Sequence, residues 1–228
     1  MGTIKDNIHA VQERIDDAAT RAGRDPAQIT LVAVSKTVEI ERIREAISAG
    51  MTVFGENYVQ EARSKIDEIG RTGLQWHFIG HLQTNKAKYA VRLFDLIHAV
   101  DSIKVARELD KRAAAVGKVM DCLIEVNISQ EESKFGITSE HTRTLAQEIT
   151  TLKNISLKGL MTMPPYFDDP EPARPYFIAL RTLQEKIAQD GISLPELSMG
   201  MSTDFEVAIE EGATMVRVGR AIFGERSY

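Results

Sequence analysis

The sequence predicts a (β/α)8 barrel, and three observations carry the prediction. Strand-sized apolar runs recur along the whole chain, an amphipathic stretch follows nearly every one, and glycine closes several of those stretches. Eight runs read as strands, over 29–36, 53–58, 76–80, 96–101, 119–129, 157–164, 196–202 and 215–223. Helices are expected near 39–49, 57–69, 84–94, 102–116, 139–152, 172–190 and 204–211, with Gly50, Gly70, Gly117, Gly191 and Gly212 at C-terminal positions. Strands joined by helical crossovers run parallel, and a parallel sheet is either covered on both faces or closed on itself. Eight units favour closure. An open doubly wound sheet would put a glycine-rich phosphate loop after its first strand, where this chain has Ser35-Lys36-Thr37.

Before the barrel, Ile4, Ile8, Val11 and Ile15 recur at helical spacing and predict an extra N-terminal helix, without the continuous apolar stretch of a secretory signal. In the first strand, alternation puts Lys36 on the side of Val32 and Val34, a barrel face. An amine held there loses hydration, and its neutral form becomes able to attack an aldehyde or ketone; a solvated strand-end lysine is the plainer reading of the same position. In the third, His77 and His81 stand four residues apart, a spacing that converges on a metal only within a helix, so zinc is not expected in a strand running into a loop. In the fifth, Cys122, the chain's single cysteine, sits in an apolar run and reads as core. After the sixth, Met163-Pro164-Pro165-Tyr166 through Pro175 reads as one long loop.

The last two strands matter most, because the loops that follow them commonly form the phosphate site of this fold. Ser202-Thr203 stand at the start of the short helix expected from Asp204, where unpaired backbone N–H groups and small hydroxyls can hold an anion. Thr203-Asp204-Phe205-Glu206 also matches a capping box, and the two readings are compatible. In Val218-Gly219-Arg220-Ala221, a glycine without a Cβ lets the backbone approach an oxyanion closely. Arg217, two residues before it, shares a face with Met215 and needs a partner, either a carboxylate or a bound acceptor such as a ring nitrogen.

At 228 residues and 43% hydrophobic content, one domain over 1–228 is expected. A formal charge of −5, with Lys and Arg scattered, leaves no footprint for nucleic acid, and no apolar run is long enough for a bilayer. A soluble, cytoplasmic protein is therefore expected. Walker, G-x-S-x-G and G-x-G-x-x-G signatures are missing, and charged runs such as Glu131-Glu132 and Asp168-Asp169 read as solvated loops.

Six blocks in order, Ala33-Val34-Ser35-Lys36-Thr37, Phe54-Gly55-Glu56-Asn57-Tyr58-Val59-Gln60-Glu61, Trp76-His77-Phe78-Ile79-Gly80 with Leu82-Gln83-Thr84-Asn85-Lys86, Gly159-Leu160-Met161, Ser198-Met199-Gly200-Met201-Ser202 and Val216-Arg217-Val218-Gly219, make the chain resemble the YggS/PROSC family of pyridoxal phosphate homeostasis proteins over essentially its whole length. The resemblance implies the type III pyridoxal-enzyme fold of the alanine racemase N-terminal domain, with pyridoxal 5'-phosphate held as an internal aldimine on Lys36. It also implies that Arg217 faces the pyridine nitrogen, that Ser202, Thr203, Gly219 and Arg220 surround the phosphate, and that Asn57 and His77 line the pocket. Lys134, in Glu132-Ser133-Lys134-Phe135-Gly136, matches a family lysine whose role its spacing leaves open. One departure is Val38, where some members carry a second lysine.

In alanine racemase a second acid-base group comes from a β-domain and dimer contact. Here the sequence runs out at Tyr228, a few residues after the eighth predicted strand, so no C-terminal β-domain is expected. An arginine at the ring nitrogen also disfavours its protonation and weakens the ring as an electron sink. The expectation is a monomeric carrier that buffers or delivers pyridoxal phosphate, with apo-enzymes that use the cofactor as candidate recipients. The alternatives are a weak amino-acid racemase, a cofactor-free Schiff-base aldolase and a regulatory protein binding partners through 164–175.

Overall fold

The computed structural model describes residues 2–131 and 134–225; Glu132 and Ser133, within two of the segments singled out above, lie outside the described residues. Helix α1 (Ile4–Arg21) begins with a reciprocal cap, in which Thr3 Oγ1 accepts from the Asp6 N–H and the Asp6 carboxylate accepts from the Thr3 N–H. The repeating units follow as β1 (Thr30–Val34), α2 (Ile40–Ser48), β2 (Val53–Glu56), α3 (Val59–Ile69), β3 (Gln75–Phe78), α4 (Ala87–Leu93), β4 (Leu96–Val100), α5 (Ile103–Ala114) and β5 (Met120–Asn127). The chain continues through β6 (Ile137–Thr138), α6 (Ser139–Thr150), β7 (Ile155–Met161), α7 (Arg174–Ala188), β8 (Glu196–Ser198), α8 (Phe205–Glu210), β9 (Met215–Val218) and α9 (Arg220–Phe223).

Eight of the described strands close into a parallel barrel in the order β4-β3-β2-β1-β9-β8-β7-β5, with β4 pairing back onto β5; two-residue β6 only extends the end of β5. Period-two alternation sorts the strand residues into two cores. Val32, Leu96, Leu123, Met161 and Met215 fill the inside of the barrel. Phe54, Trp76, Phe78, Phe94 and Ile97 belong to the larger shell between strands and helices. Burying each large apolar side chain contributes roughly 1.5–3 kcal/mol, so the outer shell holds the fold and leaves the barrel mouth available for polar groups. A Cβ at Gly159 would lie 1.8 Å from the Glu196 carbonyl oxygen, which explains a glycine in the middle of β7 where it meets β8.

The strands stop earlier than their apolar runs suggest. The first ends at Val34, so Lys36 stands in a turn beyond it. The last ends at Val218, and Ala221-Ile222-Phe223, expected as strand, form a short helix whose Ile222 and Phe223 N–H groups donate to Gly219 O at 3.0 and 2.8 Å. Short apolar runs do not distinguish the two structures by periodicity. The proline segment is likewise shorter as a loop than expected. Pro172 lies in a 3-10 turn over Glu171–Ala173 and Pro175 in the first turn of α7, where its missing N–H has no cost. No helix among the described residues is long and apolar enough to cross a membrane.

Candidate functional site

Closure of β1 on β9 sets Val32 opposite Arg217, which brings the turn after the first strand beside the loops that follow β8 and β9. A cavity of about 170 Å3 lies between them. Lys36, Asn57, Ser202, Thr203, Arg217, Gly219 and Arg220 all line it, together with Val34, Ile79, Met163, Tyr166 and Met201. A wider cavity of about 520 Å3 adjoins it, sharing Lys36, Asn57, Ile79 and Met163 and adding Tyr58, His81, Glu125 and Phe135.

Each lining residue arrives by a local device. At Lys36, the Val38 N–H donates to Ser35 O at 3.0 Å, closing a turn in which Thr37 adopts φ 60°. A β-branched residue there costs about 1–2 kcal/mol, so the turn is held against strain. Asn57 follows β2, and its backbone is approached so closely by Gly80 that a Cβ on Gly80 would lie 2.3 Å from Asn57 O. The Asn57 Oδ1 is buried without a hydrogen-bond partner among the described residues. Ser202 ties the last two loops together, its hydroxyl oxygen accepting from the Gly219 N–H at 3.3 Å and the Ala221 N–H at 3.4 Å. Arg220 reaches back over the Tyr166 ring, 5.9 Å from its centroid.

The capping box expected at Thr203 and Glu206 does not form. Asp204 is the N-cap of α8, its carboxylate accepts from the Met201 N–H at 2.6 Å, and Glu206 instead pairs with Arg14 of α1 at 2.6 Å. Thr203 therefore remains at the cavity wall without a capping bond.

Arg217 is buried, and its guanidinium donates to Ser198 Oγ at 2.6 Å and to Thr162 O at 2.9 Å. Neither of these acceptors is charged; among the described residues no carboxylate lies within ion-pair distance of it. Burial pushes its pKa down to about 10, against the opposing pull of Asp204 and Glu125, so it stays a charged donor at neutral pH. Behind it, Ser198 Oγ meets His98 Nδ1 at 2.9 Å, and His98 Nε2 meets His77 Nδ1 at 3.1 Å. Burial holds His77 down to about 4, opposed by Asp95, and His98 well below the usual histidine range. With both rings neutral, donation from Arg217 to Ser198, from Ser198 to His98 and from His98 to His77 satisfies each bond in the chain.

Seven of the eight residues singled out in the sequence thus share one cavity. His77 stands a layer deeper, at the far end of the chain behind Arg217, and does not line it. Sequence reasoning missed His98, Ser198 and Glu125. Glu125 is buried at the edge of the wider cavity, its Oε2 unpartnered among the described residues, and burial together with Asp101 pushes its pKa up to about 7. Lys134 ion-pairs with Glu131 at 3.0 Å and donates to Met163 O at 3.4 Å, which puts it beside the cavity mouth.

The family model of the alanine racemase N-terminal domain matches residues 7–227. A pyridoxal phosphate homeostasis protein of Aquifex aeolicus is 48% identical over 98% of this chain and 98% of its own length, and one of Escherichia coli is 43% identical over 100% and 99%. Among solved structures, PipY of Synechococcus elongatus with PLP bound superposes with a TM-score of 0.82 at 36% identity, covering 94% of this chain and all of that one.

Proposed function

This chain belongs to the pyridoxal phosphate homeostasis proteins, a family built on the alanine racemase N-terminal domain, and from that membership we propose that it binds pyridoxal 5'-phosphate at Lys36 and buffers or hands on the cofactor. One observation carries the reading: loops from both ends of the chain gather an amine, a buried guanidinium, two hydroxyls and a glycine-lined backbone around a single cavity. That donor set fits an anionic aromatic aldehyde. When bound, the cofactor supplies an aldehyde carbon that a lysine amine can hold covalently.

The chain's own residues divide the remaining work. Ser202, Thr203 and the Gly219-Arg220 backbone offer hydroxyl and N–H donors to a phosphate, with the Arg220 side chain as a nearby cation. Arg217, fixed by Ser198 and Thr162, has only N–H groups to present, so a ring atom placed against it would have to be an acceptor. That favours an unprotonated ring nitrogen and therefore holding over amino-acid turnover. Handing on is supported by the position of Lys36 at the junction of two cavities, the wider one lined in part by exposed Tyr58 and Phe135. The same proposal has the protein act as a cytoplasmic monomer, with cofactor-free enzymes as recipients.

The test is direct. Purified protein mixed with pyridoxal phosphate should gain a visible or near-ultraviolet band, and borohydride followed by peptide mass spectrometry should find the adduct on Lys36. An adduct confined to other lysines, or none, overturns the proposal.

A further inference from the structure

Three polar residues of the Glu56 to Lys65 stretch lie outside the proposed cofactor site and yet converge on its lysine. Lys65 of α3 is buried, and its ammonium donates to Ser35 O at 2.6 Å, Glu56 Oε1 at 2.8 Å and Glu61 Oε1 at 2.6 Å, which uses all three of its hydrogens. Glu56 Oε1 also accepts from Ser35 Oγ at 2.7 Å, and Glu61 Oε1 accepts from the Thr37 N–H at 2.5 Å. Burial pushes the Glu56 carboxyl up while Lys65 and Ser35 draw it back.

The residue between these anchored groups is Lys36. Its preceding peptide is gripped through the Ser35 carbonyl and its following peptide through the Thr37 N–H, so the two planes that define the Lys36 backbone torsions are both fixed. The second grip also holds Thr37 at a φ that a β-branched residue rarely adopts. We propose that Lys65, with Glu56 and Glu61, is a positioning unit that sets the direction in which Lys36 leaves the backbone and so its reach into the cavity. The inference rests on the reading of Lys36 as the attachment point.

Glu61→Ala is the informative variant, because Glu61 is partly exposed and its loss leaves Lys65 bonded to Glu56 and Ser35. We expect the rate of covalent attachment to Lys36 to fall roughly 10- to 100-fold, the loss of a charge-assisted hydrogen bond, while the thermal midpoint of the cofactor-free protein moves only slightly. Glu61→Gln, which keeps an acceptor oxygen, should restore most of the rate. Attachment by Glu61→Ala at the wild-type rate would overturn the proposal. So would an equal loss in Glu61→Ala and Glu61→Gln. Lys65→Met extends the test if circular dichroism shows it folded. A second readout needs no cofactor: the Thr37 amide should exchange with solvent about tenfold or more faster in Glu61→Ala than in wild type. If wild-type protein forms no Lys36 adduct, the cofactor reading fails alone, and amide exchange still decides the positioning claim, since equal exchange in the two proteins refutes it.

Discussion

Two basic side chains line the cavity from neighbouring strands, and different contacts fix their surroundings. On the β1 side the protein fixes the backbone on either side of Lys36, using a buried ion cluster to grip peptide groups. On the β9 side it fixes the side chain of Arg217, using uncharged acceptors and two neutral histidines. The difference matches what each group does in the proposal. A lysine that forms and breaks a covalent bond needs a rigid root from which its amine reaches the ligand. An arginine that only presents a donor needs a rigid arm, and a carboxylate partner would neutralise the charge it presents.

Substitutions can break this contrast, and the largest effect is expected at Lys36. Lys36→Ala should abolish the reducible adduct while the cofactor-free protein melts within a few degrees of wild type, because a residue in the turn adds little to the core. A collapse in melting temperature would make Lys36 part of the scaffold instead. Across the barrel, on β5, Glu125 tests how far the wider cavity tolerates unpaired charge. With its pKa raised to about 7, the folded protein keeps a proton that the unfolded chain releases near the ordinary carboxylate value. Stability from this group should therefore decline as pH rises from about 4.5 to 7 and stay low above, and Glu125→Gln should recover about 2–3 kcal/mol at pH 8 and almost nothing at pH 4. Urea titrations at both pH values measure it, and parallel gains would refute the assignment. His77, held down to about 4, has the opposite sign, its contribution full above about 6.5 and lost as pH falls through 4.

On the rigid side, Arg217→Met should loosen cofactor binding about 10- to 100-fold in equilibrium titrations. The same variant should raise the stability of the cofactor-free protein by about 1 kcal/mol, because a buried charge without a carboxylate is costly to fold around. A destabilised variant would show that its bonds to Ser198 and Thr162 outweigh that cost. The smallest effect belongs to Ser202→Ala, about 0.5–1 kcal/mol in binding, since losing the hydroxyl releases the Gly219 and Ala221 N–H groups that donate to it. Gly219→Val should cost more by blocking approach, and the reverse order would mean that the hydroxyl rather than the backbone holds the anion.

Periodicity made the eight strands and most helices legible, because each had to bury one face at a fixed repeat. The strand-end residues were legible for the same reason, since loops at one end of a barrel gather the chemistry. What escaped was the support behind them. His98 has the same strand parity as inward-facing Leu96, and Lys65 falls on the helix face of Ala62 and Ile66, so each broke an apolar pattern and could have been flagged. Their partners could not. Ser198 meets His98, and Ser35 meets Lys65, only through barrel closure and helix docking, and spacing along one strand or helix carries no information about that.

The pairing of β1 with β9 also orders events in time. Lys36 precedes Arg217 and the loops after β8 and β9 along the chain, so a nascent chain that has emerged past Lys36 but not past Arg220 carries the amine without the pocket. A partly made protein would then react with a passing aldehyde no better than any exposed lysine does. On the proposed reading, selectivity for the ligand is a property of the closed ring, acquired in the step that closes it.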